Sequence, residues 1–194
     1  MIKIGIYGGS FDPVHLAHEW IVHRALREGL DRVIVMPCFI SPHKLEHKPQ
    51  SSAEDRLGML RSAFRSTPSI EISDWEIQRG SISYTWETID FLKSRDPEAK
   101  IVLIVGGDQF QVIESWTRYV DWAHSVEFLV FPRRGERNEF PKQFSEGLRF
   151  RVVSDFPPEI SSSQIRQAIR EKGLGEELVS SGVKKIILDR ALYL

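Results

Sequence analysis

The chain has 194 residues, 41% of them apolar and 27% charged, which permits one buried α/β core and gives no reason to expect a second domain. A formal net charge of −1 gives no general pull toward nucleic acid or an anionic membrane, so any polyanion must be held by a local arrangement of residues. No apolar run nears the roughly 20 residues that span a bilayer, and the single cysteine, Cys38, excludes an internal disulfide framework and a thiolate metal cluster. With a first strand that begins at once, without a charged leader, the expectation is a cytoplasmic protein with no nucleic-acid or membrane partner.

In chain order, residues 2–7 read as a strand through Ile2, Ile4 and Ile6, and the strand runs into Gly8-Gly9-Ser10-Phe11-Asp12-Pro13-Val14-His15-Leu16-Ala17-His18. Two glycines let the backbone pass close to a ligand, and Pro13 suits a first helical turn. A helix start offers unpaired N–H groups at the positive end of its dipole, where a phosphate can lie. The helix expected over 16–28, closed by Gly29, places His15 and His18 on one side of its first turn. Strand 32–36 leads into Pro37-Cys38-Phe39-Ile40-Ser41-Pro42-His43-Lys44, where Lys44 stands at a strand carboxyl end on the same rim as the glycine loop. Ser51 with Glu54 reads as a capping box for helix 53–64. Strand 70–72, helix 86–93, strand 101–105, helix 110–116 and strands 126–131 and 150–153 follow. Ser161 with Gln164 caps helix 162–172, and helix 180–191 comes last. The stretches 38–50 and 133–147 lack periodicity and read as loops.

This alternation predicts a doubly wound parallel sheet of Rossmann-like type with helices on both faces, in one domain over 1–194. Ligands then belong at the carboxyl ends of the strands.

Neither a G-x-x-x-x-G-K-[ST] loop nor a G-x-G-x-x-G turn is present, which removes the P-loop NTPase and dinucleotide oxidoreductase readings. From the residues alone His15 and His18 can cap and pack, bind zinc, or stabilise a phosphate. A helical zinc pair is usually spaced i, i+4 with a clear third ligand, which is not found here. Arg166 falls near the first turn of a helix, where a cation opposes the dipole unless an anion lies between. Trp116 reads either as a core residue or as a platform for a flat ring, and Asp108 as a helix cap or a ligand contact. Lys44 alone reads as solvated surface.

The run Gly8-Gly9-Ser10-Phe11-Asp12-Pro13-Val14-His15-Leu16-Ala17-His18 resembles the nucleotidyltransferase superfamily with its (H/T)-x-G-H signature, with Ala17 in the glycine position. Ile160-Ser161-Ser162-Ser163-Gln164-Ile165-Arg166 is similar to that superfamily's I-S-S-T-x-I-R motif. Ser83-Tyr84-Thr85, Gly106-Gly107-Asp108-Gln109-Phe110 with Trp116, the Pro-His-Lys loop and Arg133 resemble the bacterial nicotinate mononucleotide adenylyltransferases, and the likeness runs to the segment 183–193. The resemblance implies a nucleotidyltransferase fold and transfer of the adenylyl group of ATP to nicotinate mononucleotide. It implies His15, His18, Lys44 and Arg166 as catalytic residues. It implies Gly8, Gly9, Ser10, Phe11, His18, Gly106, Asp108, Ile160, Ser161, Ser162 and Arg166 as ATP contacts. Lys44, Ser83, Tyr84, Thr85, Trp116 and Arg133 would meet the pyridine mononucleotide. Mg²⁺ would accompany ATP without a metal site built from protein ligands, Asp12 and Asp108 being candidate helpers. A homo-oligomer stays open. So do nicotinamide mononucleotide or phosphopantetheine as acceptor, a non-catalytic nucleotide-binding module, and a zinc hydrolase.

Overall fold

The computed structural model describes residues 1–42, 45–46, 48–132, 147–173, 175 and 178–194, so most of the irregular stretch 133–147 lies outside the described residues. Six parallel strands form its centre: β1 (Lys3–Gly9), β2 (Arg32–Pro37), β3 (Ile70–Ile72), β4 (Lys100–Gly106), β5 (Glu127–Phe131) and β6 (Arg149–Val152). Their order is β3-β2-β1-β4-β5-β6. The chain builds outward from β1 through β2 to β3, then returns to lay β4 on the other side of β1. The direction of winding therefore reverses between β1 and β4, and a crevice opens beyond their carboxyl ends.

Period-two alternation explains how this sheet buries both faces. Val33, Val35, Val102 and Ile104 point into one core, shared with Val22 of helix α1 (Leu16–Arg27), Leu60 of α2 (Ala53–Phe64) and Ile165 further along the chain. Their neighbours Ile4, Ile6, Ile34, Met36, Ile101 and Leu103 point into the other core, with Ile89 of α4 (Thr85–Arg95) and Phe110 of α5 (Gly107–Gln111). Two short helices, α3 (Trp75–Arg79) and α6 (Tyr119–Trp122), complete the second layer, and α7 (Ser162–Lys172) and α8 (Ser181–Asp189) complete the first. No described helix is long and apolar enough to cross a membrane.

The structure moves several expected boundaries. Helix α1 begins at Leu16 with His15 as its N-cap, so Pro13 precedes the helix, while Gly29 at φ +87 closes it as expected. Ser52 caps α2, its hydroxyl accepting from the Asp55 N–H at 3.0 Å, because Ser51 is turned toward Asp12 instead. Ser52→Ala should therefore lower stability by about 1 kcal/mol, read as a shifted urea midpoint, whereas Ser51→Ala should act through the loop that holds Asp12. The helix expected over 110–116 ends as α5 at Gln111 and continues as a 3₁₀ turn over Ile113–Ser115. Helices α3 and α6, of five and four residues, are too short to carry a readable period.

Candidate active site

The glycine loop ends β1 at the reversal point. A Cβ added to Gly8 would meet nothing within 4 Å, and Gly8 lines the crevice, so any side chain there would occupy ligand space. On Gly9 a Cβ would come within 3.1 Å of the Phe11 ring. Phe11 turns through φ +49 and buries its ring edge-on to Tyr7 at 5.5 Å and to His18 at 5.0 Å, which leaves its backbone as the part able to meet a nucleotide.

His15 is 4% exposed, and its ring stacks on that of His18 with centroids 3.6 Å apart. The His15 backbone N–H donates to Nδ1 of His18 at 3.3 Å, so the neutral His18 ring carries its proton on Nε2, a donor. The start of α1 is not the open anion site expected from sequence. The N–H of Leu16 donates to the carbonyl of Leu178 at 3.1 Å. The adjoining helix start with a free-standing serine cap is α7. Ser161 caps it through the Gln164 N–H at 3.2 Å, the capping box read from the sequence, and Ile160 leads into it.

Asp12 ties these pieces together rather than facing a ligand. It is 4% exposed and accepts from the Gln50 N–H at 2.7 Å, the Ser51 N–H at 3.1 Å, the Ser51 hydroxyl at 2.5 Å and the Tyr193 hydroxyl at 2.8 Å. Arg166 of α7 donates to the Asp12 carbonyl at 2.6 Å, and Ser162 donates to the Pro13 carbonyl at 2.9 Å, so α7 is docked on the same turn. Burial pushes the Tyr193 phenol well above its usual range, keeping it a donor at any working pH. Tyr193→Phe removes that donor alone and should cost about 1.5–3 kcal/mol in chemical denaturation, the worth of one hydrogen bond to a charged group.

Arg56 of α2 lies beneath the loop, 2% exposed, and one of its nitrogens, Nη1, donates to the carbonyls of Ser10 at 2.9 Å and Cys38 at 2.7 Å. Burial pulls its guanidinium below the ordinary arginine value.

Beyond the β1 and β4 ends lies a cleft of about 480 Å³. Tyr7 to Ser10 form one side, Cys38, Ser41 and Pro42 another, and Ser83, Tyr84, Thr85 and Thr88 a third; Gly106, Asp108 and Trp116 close it. Gly106 has a specific reason to lack a side chain, since a Cβ there would lie 2.5 Å from Asp108 Oδ1. Thr85 opens α4 behind the N-cap Tyr84, so the first-turn N–H groups of Thr85 and Trp86 lack intrahelical partners beside the cleft. Trp116 stands in extended backbone just past the 3₁₀ turn, half-buried with its ring 6.3 Å from that of Trp122, and not on a helix as expected. Arg118 lies 4.3 Å over the Trp86 ring.

Thus the structure gathers Gly8, Gly9, Ser10, Ser83, Tyr84, Thr85, Gly106, Asp108 and Trp116 on one cleft. His15, His18, Ile160, Ser161, Ser162 and Arg166 flank it, joined through the Tyr7–Phe11–His18 rings and the Asp12 turn. Lys44 and Arg133 lie outside the described residues. Sequence reading missed Arg56, Glu76, Thr88 and Tyr193. Glu76, on α3, lines the cleft at 7% exposure, and burial pushes its carboxyl up against the lowering effect of bonds from Thr88 and Ser83.

A parallel sheet of order 3-2-1-4-5-6, a glycine loop backed by paired histidines and a second helix docked on that loop define a nucleotidyltransferase. The cytidylyltransferase-like family model matches residues 6–168. The nicotinate-nucleotide adenylyltransferase of Bacillus subtilis is 33% identical over 194 residues, covering 100% of this chain and 99% of its own. A Treponema pallidum protein named "probable nicotinate-nucleotide adenylyltransferase" is 36% identical over 205 residues, with 99% of each chain covered. The fold also matches the Plasmodium falciparum nicotinic acid mononucleotide adenylyltransferase complexed with NaAD, at a TM-score of 0.81 and 18% identity over 100% of this chain and 98% of that one. The chain belongs to the nicotinate-nucleotide adenylyltransferase family.

Proposed function

We propose that this enzyme transfers the adenylyl group of ATP to the 5′-phosphate of nicotinate mononucleotide, giving the dinucleotide and pyrophosphate. The observation that carries the reading is a single cleft lined by both the glycine loop and the Ser83–Thr85 helix start, with Asp108 and Trp116 closing it. An acceptor phosphate monoester is already ionised at neutral pH, so the reaction needs alignment and charge stabilisation more than a general base. The acceptor oxygen bonds to the α-phosphorus as the bond to the bridging oxygen breaks, and the electron pair leaves with pyrophosphate.

In this reading His18 donates from Nε2 to the α-phosphate, and His15 holds the His18 ring in place by stacking and by its backbone N–H. Gly8, Gly9, Ser10 and the Phe11 backbone bring amides close to the phosphates, and the α7 start from Ile160 to Ser162, with Arg166, receives the departing charge. Gly106 and Asp108 take the ribose side. Thr85 and the neighbouring N–H groups take the nicotinate carboxylate, and the Trp116 indole lies on the pyridine ring. Lys44 and Arg133 complete the phosphate contacts on the strength of their sequence motifs. Mg²⁺ fits as a companion of ATP. Asp12 is already engaged by four hydrogen bonds, and among the described residues no three metal-ligating side chains converge. Bound with ATP, such an ion would neutralise phosphate charge.

Pyrophosphate release measured with nicotinate mononucleotide, nicotinamide mononucleotide and phosphopantetheine in parallel tests the reading. Turnover is expected with the acid mononucleotide at the highest kcat/KM. A preference for another acceptor would reassign the substrate, and ATP binding without release from any of them would make the protein a nucleotide-binding module.

A further inference from the structure

Glu76 presents a problem in physical chemistry. A carboxylate 7% exposed, on a five-residue helix, is costly to bury unless its oxygens are satisfied. The nearest cation on its own helix, Arg79, is committed elsewhere, paired with both oxygens of Glu87 at 2.7 Å and 2.5 Å. The partners of Glu76 are hydroxyls. Thr88 Oγ1 donates to Oε1 at 2.5 Å, and the Ser83 side chain is also hydrogen-bonded to Glu76.

Those two hydroxyls bracket one short segment. Ser83 stands just before the α4 N-cap Tyr84, and Thr88 stands one turn beyond it. Between them lie Thr85 and Trp86, whose first-turn N–H groups border the cleft. Ser83 reaches further. Its Oγ accepts from the Phe39 N–H at 3.1 Å and its own N–H donates to the Ile40 carbonyl at 2.9 Å, beside the Ile40–Ile82 bridge. Glu76 therefore sits where α3, the first turn of α4 and the segment that follows β2 meet.

We propose that Glu76 is the positioning residue of the acceptor half of the site: by gripping Ser83 and Thr88 it sets the angle at which the first turn of α4 offers its N–H groups to the acid group of the pyridine nucleotide. Its hydrogen bonds run to Thr88 and Ser83 and to no residue of the glycine loop. The proposal rests on the nicotinate reading above and names what holds that half of the site in shape.

The test is steady-state kinetics of Glu76→Leu, Glu76→Gln and Thr88→Val, with each substrate varied in turn. Glu76→Leu removes both acceptor oxygens, and the KM for nicotinate mononucleotide should rise by about tenfold, the worth of one well-placed hydrogen bond to a charged group. The KM for ATP and kcat should stay within about threefold. Glu76→Gln keeps an acceptor for Thr88 and should restore most of the acceptor affinity. Thr88→Val preserves volume and removes one donor, so it serves as the deciding variant if Glu76→Leu fails to fold, and its acceptor KM should rise by about threefold or more. Equal rises in both KM values, or an unchanged acceptor KM in Thr88→Val, would overturn the proposal. Turnover of the parent chain with each mononucleotide tests the substrate reading separately. The variant-to-parent ratio, taken with whichever mononucleotide the parent uses, tests Glu76.

Discussion

His18→Ala should lower kcat by about 10²–10³-fold, the usual loss on removing one donor aimed at developing charge, while leaving the thermal midpoint nearly unchanged. The geometry explains both halves of that expectation. The His15 N–H occupies Nδ1 of His18 at 3.3 Å, so the proton on Nε2 is fixed by the fold before any substrate arrives. The ring is held between Phe11 at 5.0 Å and His15 at 3.6 Å, so it pays little ordering entropy on meeting a phosphate. The stabilising cores lie elsewhere, and trimming a half-buried ring beside them removes little packing. Single-turnover pyrophosphate release at saturating substrates is the measurement, since it isolates the chemical step from product release. Parent-like turnover would remove His18 from the reaction. A zinc site built on the two histidines predicts instead that the variant loses bound metal, which elemental analysis of the purified protein would reveal.

Asp12→Ala should cost about 3–5 kcal/mol of stability, because it strands four donors that now converge on one buried carboxylate. Those donors come from two separate stretches: the approach to α2 supplies Gln50 and Ser51, and the last turn of the chain supplies Tyr193. Their loss should also reduce turnover beyond what unfolding explains, since Arg166 and Ser162 anchor α7 on the neighbouring carbonyls. Urea denaturation, with kcat measured well below the transition, separates the two effects. Asp12→Asn keeps one acceptor oxygen and should lie between parent and Asp12→Ala. An unchanged denaturation midpoint in Asp12→Ala would show that the convergence carries no stability.

What could be read from the sequence follows from how far each signal reaches along the chain. The strands were legible because Ile4 and Ile6, or Val33 and Val35, alternate within one segment, and both cores can be sorted from that alternation. The serine cap of α7 was legible because its partner Gln164 is three residues away. The choice between Ser51 and Ser52 was not, since it depends on Asp12, distant in sequence. Arg56 left a trace. It shares the i, i+4, i+8 face of α2 with Leu60 and Phe64, both buried, and a cation on such a stripe must find buried acceptors. Glu76 and Tyr193 left none, for their partners come from other elements. The motifs Ser83–Thr85 and Gly106–Asp108 were readable as patterns, but the extended backbone that presents Trp116 depends on where a five-residue helix gives out at Val112.

Arg56 ties two neighbouring walls of the cleft to one another. One guanidinium nitrogen is shared between the carbonyl ends of adjacent strands, so the glycine turn and the segment leading to Ser41 and Pro42 hang from the same peg. Neither can be drawn inward by a ligand without pulling on the other. Because coupling between binding events is reciprocal, a ligand that shifted that peg from one segment would be felt to the same degree by a ligand on the other.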